Sequence, residues 1–379
     1  MIDEARAAVA KRIDELWPLL ESWVAINSYT ANRAGCDRVA DALDAAFALP
    51  GLIARRVPGD GAGDHVTYAT AAYARGRGTI LVGHHDTVFP PGTFEGFRRD
   101  DARCYGPGVL DMKGGLAVIR TALAALADTG ALATLPIAVV SVSDEETGSL
   151  DGRRAIEALA RGAACGLVFE SGRASDALVT RRKGTGKLAV VAKGRAAHAG
   201  NDLALGVNAI WALARLIDAV QRLPSELGDD ITLNVGLISG GSAANTVPAE
   251  ARCEVDVRVA RAVDGPRLLA AVDHIALEIE RETGASFAIT GGLRRQPLEH
   301  LPGTPALAAR YEACARAEGL GGGDAGLVGG GSDGNTVSAV GVPAIDALGP
   351  RGRGFHTHDE YAELATFAPR ANALVRFLL

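Results

Sequence analysis

Several features that mark whole classes of protein are absent from this 379-residue sequence. Acidic residues outnumber basic ones, giving a net charge of −6, so the basic surface of a nucleic-acid-binding protein is not expected. No run reaches about 18 apolar residues, which excludes a predicted membrane span. The N-terminal segment lacks the basic and apolar regions of a signal peptide, so we expect a cytoplasmic protein.

Cysteine and aromatic residues are also scarce. The five cysteines are scattered and form no CxxC pair, which favours inert buried thiols in a reducing compartment over a disulfide framework. Aromatic residues make up 5% of the chain, so the core must consist mainly of Ala, Val, Leu and Ile. With 48% hydrophobic and 22% charged residues, the composition is that of a globular protein, and the length suggests two domains.

The pattern of apolar residues predicts an α/β fold in the first part of the chain. Continuous apolar runs, typical of strands buried on both faces, alternate with helical periodicity. We predict strands at 78–83, 136–143 and 166–169, with a helix at 113–127. This alternation predicts a sheet covered by helices on both faces, and the fold class we expect is a mixed sheet sandwiched between helices.

The pattern changes near residue 180 and returns later. Between these points the order strand, helix, two strands, helix, strand predicts an α+β, ferredoxin-like unit. Its predicted elements lie at 188–192, 206–223, 231–238, 251–259, 266–281 and 286–290. The α/β pattern then resumes, with elements predicted at 305–318, 342–348 and 361–379. We therefore predict a discontinuous domain of residues 1–179 and 290–379 that carries an inserted domain, residues 180–289.

Histidines and carboxylates follow the predicted strands. They are His84 and Asp86, Asp111 before a helix, the run 144–146, Glu170, and His356 far downstream. Open α/β sheets place ligand-binding residues at such strand ends. Imidazoles and carboxylates are ligands of divalent cations, and two cations that share one carboxylate need about this ligand set.

Each of these residues also has an ordinary structural interpretation. His84 could cap a sheet, Asp111 could be a helix N-cap, and residues 144–146 could form a solvated loop. Arginine-rich segments such as 181–183 are interpreted as solvated faces. The metal hypothesis depends on the combination of these residues.

Nine ordered motifs resemble the two-metal amidohydrolases and exopeptidases of the glutamate carboxypeptidase, acetylornithine deacetylase and aminoacylase type, peptidase family M20. The resemblance covers nearly the whole chain and is nearest to the glutamate carboxypeptidase branch. It rests on G-H-x-D-T-V at 83–88, Y-G-P-G-x-x-D-x-K-G-G at 105–115, D-E-E-x-G at 144–148, F-E at 169–170, H-A-G at 198–200, N-T-V-P at 245–248, D-V-R at 256–258, G-G-G-S-D at 329–333 and F-H-T-x-D-E-Y at 355–361.

This resemblance implies five metal ligands for two divalent cations per chain. Asp111 would bridge both cations, with His84 and Glu170 on one and Glu146 and His356 on the other. Zinc is the expected metal, with cobalt or manganese as alternatives at such N/O sites. His358, two residues after His356, cannot be separated from it by spacing alone.

The same resemblance implies the roles of further residues. Glu145 would be the general base that deprotonates the metal-bridging water, and Asp86 would orient His84. The inserted domain would form a homodimer, through which His198 reaches the partner's site to stabilise the oxyanion. Asn245 would line the substrate pocket, and Arg258 would bind the terminal carboxylate of the substrate.

These expectations define a hydrolase that releases a C-terminal amino acid from a small peptide or an N-acyl amino acid. An N-acyl-amino-acid deacylase and a dipeptidase remain alternatives, because the same centre serves all three. A nucleotide-dependent oxidoreductase is disfavoured, since the glycines at 329–334 fit a dinucleotide fingerprint but follow no firm strand. A non-catalytic relative is disfavoured because the ligands and the base are all present.

Overall fold

A computed structural model describes residues 1–73, 77–228 and 230–379. The chain divides into two compact units, and the second is inserted into the first. The first unit comprises Met1–Arg181, Leu298–Val328 and Ser332–Leu379; the second comprises Arg182–Pro297 and Gly329–Gly331. The boundaries from the sequence differ: the one placed between residues 289 and 290 falls inside a strand of the second unit, Ser286–Arg295.

The described helices and strands are numbered here in chain order. The helices are α1 (Ile2–Val24), α2 (Arg33–Ala46), α3 (Lys113–Asp128), α4 (Arg153–Ala160), α5 (Ala209–Leu227), α6 (Asp264–Thr283), α7 (Thr304–Ala317), α8 (Asp333–Ala339) and α9 (Phe367–Leu378). The strands are β1 (Leu52–Val57), β2 (His65–Thr70), β3 (Gly78–His84), β4 (Arg98–Arg99), β5 (Arg103–Tyr105), β6 (Ile137–Val142), β7 (Ala163–Val168), β8 (Arg181–Arg182), β9 (Gly184–Lys193), β10 (Thr232–Gly240), β11 (Glu250–Val259), β12 (Ser286–Arg295), β13 (Leu327–Val328), β14 (Ala344–Ile345), β15 (Gly352–Arg353) and β16 (Tyr361–Glu363).

The first unit is built on a six-stranded mixed sheet in the order β1-β2-β6-β3-β7-β14. Strand β3 lies at its centre, parallel to β6 on one side and to β7 on the other. Strands β1 and β2 add an antiparallel edge. Because the three central strands run in the same direction, their carboxyl ends meet at one edge of the sheet.

Helices cover both faces of this sheet. On one face, Leu81 and Val139 pack in a large core with α1, α3 and α9. On the other, Val82 and Val140 pack with residues of α4 and α8. The α/β class predicted from the apolar runs is confirmed, since alternate residues of one strand are buried in different cores.

One predicted element of this unit is wrong at its start. The closing helix was expected from residue 361, but Tyr361–Glu363 forms β16, and α9 begins at Phe367. Strand β16 pairs with β5, placing Tyr361 opposite Tyr105 in a small sheet of order β15-β16-β5-β4. Pairing between residues this far apart in the chain leaves no signal in the local periodicity.

The second unit is an antiparallel sheet of order β10-β11-β9-β12 with α5 and α6 packed on one face. Burial alternates along β9: Leu188 and Val190 contribute to the core, whereas Lys187 and Ala189 are only partly buried. The predicted order of elements is confirmed, and the α+β class follows from this alternation.

A membrane-spanning helix is not found in residues 1–73, 77–228 and 230–379, where each helix is too short or too polar to cross a bilayer.

Candidate metal centre

Three of the candidate ligands lie at, or a few residues beyond, the ends of neighbouring strands of the first unit's sheet. His84 is the last residue of β3, Glu146 lies in the short turn after β6, and Glu170 comes two residues after the end of β7. The parallel arrangement of these strands brings the three side chains to one edge, as expected for ligand-binding residues in open α/β sheets.

Asp111 reaches the same place from the start of α3. The N-cap position of this helix is Met112, which makes no side-chain capping bond, so Asp111 does not serve as the cap. Gly115 allows the helix to approach the end of β7 closely, because a Cβ there would collide with the carbonyl oxygen of Phe169. The close approach of α3 to Phe169, just beyond β7, therefore sets the position from which Asp111 projects.

The carboxylate of Asp111 lies between two histidines. Its Oδ1 is 3.0 Å from His84 Nε2, and its Oδ2 is 3.3 Å from His356 Nε2. Glu170 Oε1 lies 3.7 Å from the same nitrogen of His84, and Glu146 Oε2 lies 3.0 Å from that of His356. Each group of three offers ligand atoms that all lie within 4.8 Å of one another.

The donor chemistry of both groups fits a divalent cation. Each provides one imidazole nitrogen and two carboxylate oxygens, a set suited to zinc, cobalt or manganese. Burial and the neighbouring Asp111 raise the pKa of Glu146 to about 8 and that of Glu170 well above its usual value. Hydrogen bonds to Asp111 and Glu146 raise the pKa of His356 to about 10. The cluster thus concentrates negative charge in a poorly solvated place, where a bound cation would compensate it.

Asp86 connects His84 with the turn that carries the acidic residues. Its buried carboxylate accepts from Nδ1 of His84 at 3.2 Å and from the hydroxyl of Thr30 at 2.7 Å. It also accepts from the backbone N–H groups of Glu145 and Glu146, at 3.1 and 3.2 Å. A carboxylate on one imidazole nitrogen leaves the other free to bind a metal, and the carboxylate of Asp86 binds both His84 and the acidic turn.

Glu145 is the first residue of a short 3₁₀ turn, Glu145–Thr147, which is followed by Gly148 in a left-handed conformation. Its side chain is half-buried, and its charge contributes to the raised pKa of Glu170. The Glu145 carboxylate is therefore close enough to Glu170 for the two charges to interact.

His65 is a second anchor of the acidic turn, and no sequence motif marks it. Its Nδ1 accepts from the backbone N–H of Ser143 at 3.2 Å, and its Nε2 lies 3.1 Å from Asp151. Asp144 is in neither ligand group, and its carboxylate accepts from the N–H groups of Asp151 and Gly152. These bonds hold the chain just before Glu145.

Two other histidines lie near the centre but outside the ligand groups found among the described residues. His85 is fully buried beside Ser141, and burial lowers its pKa to about 3. His358 stacks on Phe94 with ring centroids 5.5 Å apart. The structure thus distinguishes His356 from His358, which spacing alone could not do.

His198 and Asn245 belong to the second unit, where their segments lie side by side. The N–H of Ala199 donates to the carbonyl of Asn245, and His198 bridges to Thr246. His198 is exposed, and its Nδ1 accepts from the N–H groups of the next turn. Its Nε2 therefore carries the proton, which leaves a hydrogen-bond donor directed away from the turn.

Arg258 also belongs to the second unit and already has partners. Its Nε donates to Asp256 at 2.9 Å, and its Nη1 donates to the carbonyl of Gly329 at 3.0 Å. Nearby, Arg182 donates to the carbonyl of Gly330 and is 5% exposed, so the interpretation of residues 181–183 as a solvated face is wrong for this arginine. The loop of residues 329–331 thus accepts hydrogen bonds from both arginines through its backbone carbonyl oxygens.

Comparison with known proteins places this geometry in a family. Residues 80–379 match the family described as Peptidase family M20/M25/M40.

Individual relatives agree with that match. The chain is 28% identical over 367 residues to carboxypeptidase G2 from Pseudomonas sp. (strain RS-16), covering 95% of this chain and 88% of that protein. It is 31% identical over 204 residues to an acetylornithine deacetylase from Pasteurella multocida, covering 50% and 52% of the two chains. Among solved structures, aminopeptidase PepT from Bacillus cereus shares the fold, with a TM-score of 0.81, 22% identity and coverage of 97% and 98%.

Proposed function

The chain belongs to peptidase family M20, and on this basis we propose that it releases a C-terminal amino acid from a peptide or an N-acyl amino acid. The family assignment makes it a metal-dependent hydrolase of peptide or amide bonds. The observation that carries the finer proposal is the Asp111 carboxylate, which presents one oxygen to each of two donor groups.

We assign one cation to His84, Asp111 and Glu170 and a second to Asp111, Glu146 and His356, with zinc as the expected metal. Two such cations would supply Lewis-acid polarisation of the scissile carbonyl and a water molecule of lowered pKa. Support comes from the donor sets and from the excess of buried carboxylates around Asp111.

The remaining steps fall to side chains of the protein. Glu145 takes the proton of the attacking water and later gives it to the leaving amine. Asp86 fixes the orientation of His84 and the backbone of Glu145 at the same time. His198 of the partner subunit donates from Nε2 to the oxyanion that forms at the carbonyl.

Arg258 and Asn245 are assigned to the carboxylate-bearing amino acid on the leaving side. The ion pair between Arg258 and Asp256 is about one-third exposed at the arginine, and such pairs contribute only ~0–1 kcal/mol. A substrate carboxylate can therefore replace Asp256 as the partner of the planar guanidinium. Glutamate is the first candidate for this amino acid, because the sequence motifs resemble those of the glutamate carboxypeptidase branch.

A deacylase acting on N-acyl amino acids is the second candidate, favoured by the similarity to an acetylornithine deacetylase. A dipeptidase is a third variant of the same chemistry. All three use the same centre and differ only in the group on the acyl side of the bond.

The test is metal content measured together with amine release, on protein purified without chelator. Peptides and N-acyl amino acids that end in Glu, Asp, Ala, Leu and Arg form the substrate panel. We expect about two metals per chain and release from one substrate class. Glu145→Ala should keep both metals and lose activity by a factor of about 10²–10⁴, the usual contribution of a general base. Protein that binds no zinc, cobalt or manganese would contradict the proposal.

A homodimer formed by the second unit is part of the proposal. Strand β10 is an edge strand, and its Leu237 and Ile238 are 64% and 63% exposed. On α5, Ile210 and Trp211 are also exposed. An uncovered edge with apolar side chains is what a second copy of the chain would cover.

Mixing two inactive variants tests both the dimer and the reach of His198. Glu145→Ala and His198→Ala dimers are exchanged under mild denaturation and then assayed. Half of the dimers become mixed, and one of their two sites is intact, so about a quarter of wild-type activity should return. If no activity returns although mass measurements show mixed dimers, His198 does not act across the dimer.

A further inference from the structure

Glu360 is a buried acidic residue with no part in the chemistry described above. Its side chain is 1% exposed, and its carboxylate accepts three backbone hydrogen bonds. Oε1 accepts from the N–H groups of Leu110 and Asp111, at 2.8 and 3.1 Å, and Oε2 accepts from Gly108 at 3.2 Å. Its two oxygens thus bind the turn that ends at the bridging ligand.

Three N–H donors on one carboxylate define the path of this turn. The segment between β5 and α3 contains Gly106 and Gly108, both with positive φ. Such a segment has few regular backbone bonds of its own, so the carboxylate takes the place of a missing acceptor strand. By binding the backbone N–H of Asp111, Glu360 therefore fixes the direction in which the Asp111 side chain projects.

The same residue ends the loop that carries His356. Glu360 directly precedes β16, where Tyr361 pairs with Tyr105 of β5. His356 lies four residues earlier, in a left-handed conformation with φ of 63°. The backbone bonds within this loop are short-range, such as that from Thr357 N–H to the carbonyl of Gly354. One side chain thus joins the His356 loop to the Asp111 turn.

We propose that Glu360 is a positioning residue for the candidate metal centre. It holds Asp111 and His356 at the spacing that one cation needs. This inference rests on the proposed function, because it concerns the cation assigned to Asp111, Glu146 and His356. The other cation depends on it less, since His84 and Glu170 follow central strands of the sheet and His84 is held by Asp86.

Glu360→Gln tests the proposal at nearly constant shape. The amide keeps one acceptor oxygen but turns an N–H₂ group toward an N–H donor of the turn, so at least one hydrogen bond is lost. Glu363→Gln is the matched control: it removes a carboxylate from β16, the strand that Glu360 precedes, and that carboxylate is 38% exposed and binds Arg351 instead of the turn.

Binding of Co²⁺ and Zn²⁺ to the metal-free proteins is measured by competition with a chromophoric chelator. Absorption of the cobalt forms reports the coordination, and circular dichroism of the metal-free proteins reports the fold. The cation assigned to Asp111, Glu146 and His356 is expected to be the more weakly bound of the two. We expect this weaker affinity to fall about 10–100-fold in Glu360→Gln, as is usual when a supporting residue of a metal ligand is lost. The stronger affinity should change much less, and Glu363→Gln should match the wild type. Glu360→Asp, which keeps both oxygens, should lie between the wild type and Glu360→Gln.

The outcomes separate this inference from the proposed function. Wild-type protein that binds no cation would contradict the proposed function itself. Wild-type protein with two cations and unchanged affinities in Glu360→Gln would overturn the positioning role alone. Metal-free Glu360→Gln and Glu360→Asp that both fail to fold would assign Glu360 to the stability of the whole unit, and this would also overturn the role.

Discussion

The two halves of the candidate metal centre share Asp111 but are held in different ways. His84 and Glu170 follow β3 and β7, adjacent parallel strands, and the side chain of His84 is 1% exposed. Glu146 lies in a short turn, and His356 lies in a loop with a side chain that is 49% exposed. One half is thus set by the hydrogen-bonded ladder of the sheet, and the other depends on the hydrogen bonds that a few side chains, such as Asp86 and Glu360, make to turn backbone.

This difference indicates how a site can be both rigid and adjustable. Ligands at the ends of central strands cannot move without disturbing the core, whereas ligands on loops can shift at little cost. We therefore expect the strand-borne half to bind its cation more tightly and the loop-borne half to exchange its cation faster. Five substitutions, taken in four experiments, test this comparison.

Asp111→Asn should have the largest effect, because it weakens both halves at once. Loss of both cations would remove several kcal/mol of transition-state stabilisation, so activity should fall by more than about a thousandfold. Elemental analysis of the dialysed variant should show fewer than two metals per chain. Full metal content in this variant would contradict the bridging role.

Removal of each histidine should distinguish the two halves most clearly. His84→Ala and His356→Gly should each lose most activity, but added imidazole should restore only the second. Imidazole from solution can reach the place of His356, which is half exposed, but not that of His84, which is buried. Glycine is chosen at position 356 because the backbone there is left-handed. Activity is measured against imidazole concentration at saturating zinc. Equal rescue of both variants would show that the halves are equally open.

Asp86→Asn should have a smaller effect that reaches both halves. Asp86 binds His84 on one side and the backbone of Glu146 on the other, so both cation affinities should fall, by about 10–100-fold. Chelator competition measures both affinities in one titration. A change in only one of them would show that the acidic turn does not depend on this carboxylate.

His65→Leu should have the smallest effect on activity and act mainly on stability. It leaves the N–H of Ser143 without its acceptor in a buried place, which costs about 1–3 kcal/mol of the free energy of unfolding. Urea unfolding of the metal-free protein measures this loss. His274→Leu, at a histidine with a 72% exposed side chain, is the control and should leave the stability nearly unchanged.

The parts of this architecture that the sequence predicts are those with a local signal. The strands that end near His84 and Glu170 are continuous apolar runs, and burial on both faces dictates such runs. His84, Asp111, Glu146, Glu170 and His356 stand in motifs that resemble the family, and the structure brings all five together.

The features that were missed depend on residues distant in sequence. The sequence predicts a helix at Tyr361, and the strand there escapes prediction because its partner, Tyr105, lies about 250 residues earlier in the chain. The link from Asp86 to the acidic turn, the anchor at His65 and the three bonds to Glu360 likewise join separate segments. The hydrogen bonds of a single buried polar side chain have no periodicity, so a sequence pattern cannot reveal them.

The brief return of the chain to the second unit at Gly329–Gly331 has a consequence for how this protein can evolve or be engineered. Deleting residues 182–297 would not remove a complete module, because these glycines would lose Arg182 and Arg258, which bind their carbonyls. A recombination event that exchanges the insertion must therefore also bring a compatible glycine loop, encoded more than 30 codons downstream. The two segments therefore have to be inherited together, although they are separated in the gene.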